Sequence, residues 1–221
     1  MIDILGSIDE KIENNIKKGV LYEHLIEQYF KELLLLKNDS WQELTLTQIA
    51  DYINGLAMQK FRPKGQDFLP VIKIKELSQG ASDKNSEQAD PFIDLKYIID
   101  DGDIIFSWSG TLMVKIWCGG KGGLNQHLFK VVPKNQYAWF VYLWTNYHLV
   151  KFQNIAKGKA VTMGHIKRED LEKSLVYAPP QNVMDYYNKI IQPLYQSIID
   201  LNVEKRKLDE LKNLYLKKFF S

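Results

Sequence analysis

Apolar residues recur without a break at one heptad position near the end of this chain: Tyr187, Leu194, Leu201, Leu208 and Tyr215. The companion position reads Ile191, Ile198, Lys205, Lys212 and Phe219. That spacing lays one apolar stripe along a helix of roughly 38 residues, about 57 Å long. The other end of the chain carries a second stripe. Leu5, Ile12, Gly19, Ile26 and Leu33 share one position, and Ile8, Asn15, Tyr22 and Tyr29 share the other. A stripe of this length needs a partner helix of similar length, and each end offers one to the other. Asn15 falls in the seam, where a polar residue fixes register at some cost in stability. The ends also echo each other, Ile8-Asp9 with Ile12-Glu13 against Ile199-Asp200 with Val203-Glu204, a form of internal repeat. The plainer alternative is two ordinary amphipathic helices packed on one core.

Between the stripes the period changes. Lys37-Asn38-Asp39-Ser40 is a polar linker, and Pro179-Pro180 is a stop, because a residue before proline avoids the helical region. The chain therefore divides into a helix over 1–36, a mixed domain over 41–180 and a helix over 181–221. Inside the domain, residues 47–53 read as a short helix, capped by Thr47 and ended by Gly55. Residues 71–74 read as a strand. Asp101-Gly102 is a turn before the buried strand 104–106. Residues 111–117 alternate as a strand does, and 128–132 form another, closed by Pro133. Residues 137–155 read as one aromatic-rich buried helix, 167–173 as a short helix and 175–177 as a last strand. Gly119-Gly120-Lys121-Gly122-Gly123 lies between strand-like runs and reads as a hairpin loop rather than a phosphate loop. The predicted class is α+β, one mixed domain with a bent sheet flanked by two long helices able to form a coiled coil.

Composition narrows the partners. With 221 residues, 45% apolar and 25% charged, the chain is ordinary globular material. A net charge of +2 means that affinity for phosphate must come from a local patch. The single Cys118 excludes an intramolecular disulfide and a multi-cysteine metal site and suits a reducing cytosol. The acidic start, with Asp3, Asp9 and Glu10, does not read as a secretory signal, and the apolar runs are too short to span a bilayer. A cytoplasmic protein without membrane contact is expected.

Catalytic chemistry finds little support. Asp100, Asp101 and Asp103, with Asp94 and Lys96 close by, could supply the paired carboxylates of a two-metal nuclease. Asp-Gly is also a turn signal, and acids at turns are commonly solvated. His24, His127, His148 and His165 have no metal-ligand spacing. Ser107 and Ser109 lack the flanking glycines of a nucleophile elbow, and no glycine motif for a cofactor precedes a helix. No catalytic residue, metal ligand or cofactor is assigned.

Binding is better represented. Residues 151–168 contain no acid but hold Lys151, Lys157, Lys159, Lys167 and Arg168, with Gln153, Asn154, Thr162 and His165 among them. A second acid-free run, 55–66, holds Gln59, Lys60, Arg62, Lys64 and Gln66. Basic side chains neutralise phosphates, and Arg, Lys, Gln and Asn read base edges. Solvated loops remain the alternative. The candidate DNA contacts are Lys60, Arg62, Lys64, Gln66, Lys157, Lys159, Thr162, His165 and Lys167, with Trp108, Ser109 and Lys121 as weaker members. Gln126 and His127 read as structural, because a strand starts there.

These motifs resemble the specificity subunits of type I restriction–modification systems. The matching features are Trp41 with Leu44 and Ile49, Ile53-Asn54-Gly55, and Pro70-Val71-Ile72-Lys73-Ile74 with Leu77 and Gly80. They continue with Asp101-Gly102-Asp103-Ile104-Ile105-Phe106-Ser107, Gly110, Asn125-Gln126-His127, Ala156-Lys157-Gly158, Ile166, Leu171 and Pro179-Pro180. One departure stands after Pro180, where Gln181-Asn182-Val183 replaces the family's usual Glu-Gln pair; the N-terminal helix is a second. The resemblance implies a half subunit, with one target-recognition domain where the family commonly has two. It implies a non-catalytic reader of one half of a split double-stranded DNA target, with the helices as spacer. S-adenosylmethionine would belong to a partner modification subunit and cleavage to a restriction subunit. Two heptad stripes and one reader suggest a homodimer joined through the long helices. A protein-interaction module without DNA binding is the rival from another class.

Overall fold

The structure, a computed structural model, describes residues 2–158 and 164–220. Helix α1 (Ile2–Leu35) opens the chain, followed by β1 (Gln42–Thr45), α2 (Leu46–Ile49), β2 (Ala50–Asn54), β3 (Leu69–Ile72), α3 (Ile74–Gln79) and β4 (Gln88–Ala89). Next come β5 (Ile98–Ile99), β6 (Ile104–Ser107), β7 (Met113–Ile116), β8 (Gly122–Leu124) and β9 (Leu128–Pro133). Helices α4 (Ala138–Tyr147), α5 (Leu149–Gly158) and α6 (Arg168–Glu172), strand β10 (Leu175–Ala178) and helix α7 (Gln181–Phe220) complete it. The fold is mixed, with long helices at both ends. Two compact units are present: Met1–Leu36 with Asn182–Ser221, and Lys37–Gln181. No helix among the described residues is long and apolar enough to cross a membrane.

In the helical unit the two stripes meet within one chain. Asn15 Nδ2 donates to Glu204 Oε2 at 2.7 Å, Tyr187 Oη donates to Glu32 Oε1 at 3.1 Å, and Lys212 pairs with Asp9. Partner numbers fall along α7 as they rise along α1, so the helices are antiparallel. Ile8, Asn15, Ile26 and Leu33 are buried, with Leu5, Ile12 and Tyr22 half-buried between them. On α7 the buried residues are Met184, Tyr187, Ile191, Tyr195 and Ile198; Leu201, Leu208 and Tyr215 are half-buried. Tyr195 takes the seam where the heptad count expects Leu194. The buried set steps from Met184 to Tyr195 and from Tyr187 to Ile198, an eleven-residue spacing that follows a nearly straight helix, whereas a strict heptad would drift around it. Pro193 sits inside α7 and removes one backbone donor, without ending the helix. Among the described residues the two stripes pack on each other within one chain, so the stripes alone do not require a second copy.

Asn15 is 2% exposed, and its Oδ1 has no hydrogen-bond partner among the described residues. Its amide hydrogen bond holds the Glu204 carboxyl below the usual carboxylate range. An orphaned buried acceptor costs about 1–3 kcal/mol, against about 1 kcal/mol for the bond it accompanies. Asn15→Leu should therefore raise the urea midpoint of the helical unit while weakening its single register. A lowered midpoint would show that the Glu204 bond outweighs the orphaned oxygen.

The second unit has three sheets among the described residues. β1 and β10 pair antiparallel and bring together the two ends of this unit. A four-stranded antiparallel sheet has the order β2-β9-β6-β7, and another has the order β4-β3-β8-β5 with β3 and β8 parallel. All four residues of β6 are buried. Ile105 and Leu128 of the first sheet share one core with Ile72, Ile99 and Leu124 of the second. α4 covers the first sheet, and Tyr52 of β2 meets Thr145 of α4 through a 2.8 Å hydroxyl contact.

Four local expectations change. The predicted helix 47–53 stops at Ile49, with Thr45 rather than Thr47 before it. Residues 50–54 are extended because Ala50 and Tyr52 bury alternately and β9 supplies a ladder, so period two wins over local helix preference. The predicted strand 71–74 is β3 over 69–72, and Ile74 already begins α3, started by the Lys73 N–H bond to Glu76 Oε2 at 3.1 Å. The glycine run 119–123 is no hairpin loop: Gly122–Leu124 is a buried central strand. A Cβ on Gly122 would lie 2.4 Å from Ile72 Cγ1, so glycine is what lets β8 lie against β3. The predicted single helix 137–155 is α4 and α5, broken at His148. Its Nε2 donates to the Leu175 carbonyl at 2.8 Å, and burial lowers its pKa.

Candidate nucleic-acid interface

The antiparallel order of the first sheet decides which loops meet. β9 runs opposite to both β2 and β6, so the ends of β2 and β6 lie beside the start of β9. The register places Asn54 and Phe106 across from Phe129, and Ser107 across from Leu128. Trp108 and Ser109 continue from β6, and Gln126 and His127 lead into β9.

Hydrogen bonds fix these side chains to one another. Trp108 Nε1–H donates to Asn54 Oδ1 at 2.9 Å, and its ring stacks on Phe129 at 5.6 Å. The Trp108 N–H reaches the His127 carbonyl at 3.4 Å. Ser109 Oγ lies 2.9 Å from His127 Nδ1, and Gln126 Nε2 lies 3.4 Å from His127 Nε2. A fourth segment is stitched to these. Ser109 and His165 form an antiparallel bridge, Gly110 N donates to Gly164 O at 3.2 Å, and Ile166 N donates to Trp108 O at 3.2 Å. The His165 ring meets Trp108 edge-on at 6.2 Å. Asn54, Trp108, Ser109, Gln126, His127 and His165 thus converge from four places in the sequence.

A serine beside a histidine is also the beginning of a nucleophile–base pair. Here Ser109 is 6% exposed, and the neighbour of the imidazole's other nitrogen is a neutral amide, which cannot support an imidazolium as a carboxylate does. The arrangement is better suited to presenting hydrogen-bond donors and acceptors beside an aromatic plate, which is what reading nucleotides requires.

The predicted basic residues fall in three places. Lys157 lies in the last turn of α5, and Lys167 directly precedes α6; both are exposed and in no ion pair among the described residues. The chain between them passes through His165, so this basic pair flanks the Trp108 cluster in sequence. Lys159 and Thr162 lie outside the described residues. Lys60, Lys64 and Gln66 are exposed on the stretch that leaves β2 through Gly55, and Arg62 Nη1 lies 3.8 Å from Glu87. Lys121 stands before β8, whereas Gln126 and His127 follow it, so the structure sets Lys121 at the far end of that strand. His127, expected to be structural, belongs to the cluster. Asn54 and Phe129 went unselected in the sequence; Asn-Gly at a strand end was the available signal for the first, and nothing marked the second.

The acidic turn directs its carboxylates apart. Asp103 Oδ2 accepts from Asp100 N at 2.8 Å and pairs with Lys130 at 2.8 Å, while Asp101 Oδ1 accepts from Gly120 N at 2.8 Å. Asp94 Oδ1 accepts from Lys96 N. No group of three metal-type ligands exists among the described residues.

Comparison with known proteins gives this geometry a context. A family model described as "Type I restriction modification DNA specificity domain" matches residues 38–213. The EcoBI type I restriction enzyme specificity subunit of Escherichia coli is 27% identical over 160 residues, covering 71% of this chain and 32% of its own length. The MjaVIII specificity subunit of Methanocaldococcus jannaschii is 22% identical over 197 residues, covering 88% and 45%. Among solved structures, the type I restriction–modification S subunit from M. genitalium superposes with a TM-score of 0.62 at 17% identity, covering 98% of this chain and 58% of that one. The HsdS subunit from Thermoanaerobacter tengcongensis gives 0.50 at 14% identity, covering 98% and 55%. The chain spans less than two thirds of the length of each.

Proposed function

This chain belongs to the family of type I restriction modification DNA specificity domains, and from that premise we propose that its mixed unit reads one half of a bipartite double-stranded DNA target. The observation that carries the reading is the convergence of Trp108, Ser109, His127 and His165, with residues 164–166 stitched to Trp108, Ser109 and Gly110. Lys157 and Lys167 sit on phosphates. Asn54, Gln126 and the two histidines lie where base edges are read. The chain performs no chemistry itself: methyl transfer from S-adenosylmethionine is the work of a modification subunit, and cleavage that of a restriction subunit. The paired helices α1 and α7 act as the spacer. The described residues hold one reader, and a pair of copies related by a two-fold axis would present two identical readers to a bipartite target. Because the heptad seams are closed within each chain, such a pair would join through another face.

Selection from a randomised duplex pool tests this. The expected product is an interrupted palindrome bound with steep salt dependence. The double variant Lys157→Ala with Lys167→Ala should weaken binding to all sequences alike and flatten the salt slope by about 2 per reader, about 4 for a pair of copies. Recovery of a single half-site would remove the homodimer, and recovery of no sequence at low salt would remove DNA reading altogether.

A further inference from the structure

A half turn of an asparagine amide exchanges its oxygen and nitrogen with little change in shape, so what an exposed amide presents is commonly undefined. Asn54 is defined. The indole Nε1–H of Trp108 can only donate, so the atom 2.9 Å from it is the amide oxygen. Asn54 Nδ2 in turn donates to the Gly55 carbonyl at 3.3 Å. Neither end of this arrangement is loose. Asn54 closes the β2 ladder opposite Phe129, and the Trp108 ring stacks on that same phenyl ring at 5.6 Å. The Trp108 main chain is bonded to His127 and to Ile166. Asn54 nevertheless remains exposed. The imidazole of His127 is less determined, because Ser109 Oγ and Gln126 Nε2 fit either of its tautomers once that amide is free to turn. An exposed carboxamide held in one polarity meets a partner of matching pattern without the ordering cost that a free asparagine carries.

The groups left over specify that partner. A carboxamide has two N–H donors and two oxygen lone pairs. Trp108 takes one lone pair and Gly55 one N–H, which leaves one donor and one acceptor. In the major groove adenine shows one acceptor, N7, and one donor, N6–H. Guanine shows two acceptors, cytosine a donor, and thymine an acceptor beside its methyl group. Adenine is the base that satisfies both remaining groups, whereas guanine would set its O6 against the asparagine oxygen.

We propose that Asn54 reads an adenine in the major groove, its Nδ2–H donating to N7 and the adenine N6–H donating to Oδ1, and that Trp108 positions it. The assignment rests on the DNA-reading function above and names the base that one of its side chains selects.

The test repeats the selection from a randomised duplex pool with the full chain and variants of Asn54. Wild type should recover a half-site in which one position prefers adenine by about tenfold or more. Asn54→Asp keeps an oxygen for the indole N–H but offers the base acceptors alone, so that position should change to cytosine, whose N4–H donates to a carboxylate, with the other positions unmoved. Asn54→Ala should accept all four bases there within about threefold. Trp108→Phe frees the amide and should blunt the adenine preference at the same position; an unchanged preference in that variant overturns the positioning role. A merely structural Asn54 would lower the melting temperature, or the affinity for every duplex, and leave the preferred bases as they were. That result, or a recovered half-site in which no position responds to Asn54→Asp and Asn54→Ala, overturns the assignment while leaving DNA reading in place. Failure of wild type to recover any sequence would end both readings.

Discussion

Replacing Gly55 by alanine should lower the melting temperature of this chain more than any comparable one-methyl change. The new Cβ would lie 2.3 Å from two backbone carbonyl oxygens, those of Leu124 and Asn125. Neither can swing away as a side chain would. Gly55 N donates to Leu128 O, Leu56 N to Leu124 O, Asn125 N to Ile72 O and Leu128 N to Asn125 O. These four bonds form the knot where β2 and β9 of one sheet meet β3 and β8 of the other. Making room for a methyl group there costs about 3 kcal/mol. For a chain of this size that is roughly a 6–12 °C fall. Gly65→Ala is the control, since a Cβ there meets nothing within 4 Å. Equal melting of the two variants would show that the knot yields freely.

Trp108→Ala should have the largest effect on recognition. The indole ties its own segment to the other three of the cluster through Asn54, Phe129 and the edge-on ring of His165. Its loss releases Asn54 and removes the plate against which His165 stands. Affinity for the selected duplex should fall about 100-fold, near 2.7 kcal/mol, as for an aromatic anchor. On the proposed function, binding to a mixed-sequence duplex runs through Lys157 and Lys167, so it should change little. Trp108→Phe keeps the stack but leaves Asn54 Oδ1 without its donor, so about a tenfold loss is expected. A uniform loss on both duplexes, with the melting curve unchanged, would make Trp108 a general contact instead of an organiser of specific reading.

Much of this was legible beforehand because it rests on long patterns. The seam of α1 was readable from Leu5 to Leu33 because burial repeats every turn. The strands at Ile104 and Leu128 were readable because four to six apolar or β-branched residues stand together. What failed was short. Residues 50–54 look helical when read alone, and only β9 makes them a strand. Gly122–Leu124 looks like a loop until Ile72 is seen pressed against it. His148 breaks a helix that its aromatic neighbours would continue. Trp108 and Ser109 were selected from their place after a buried strand. Asn54, Gln126 and His127 needed the sheet's register before they could be seen to converge.

By itself, then, the amino-acid sequence determined the two amphipathic helices, the mixed domain between them, the supply of basic side chains and the family motifs. These follow from periodicity, proline stops and local charge, which are sums over neighbours in the chain. The tertiary structure decided that the two stripes close on each other, that β8 is buried, and that four distant segments meet at Trp108. Such outcomes depend on strand pairing and close packing between residues far apart in sequence, and those contacts exist only once the chain has folded.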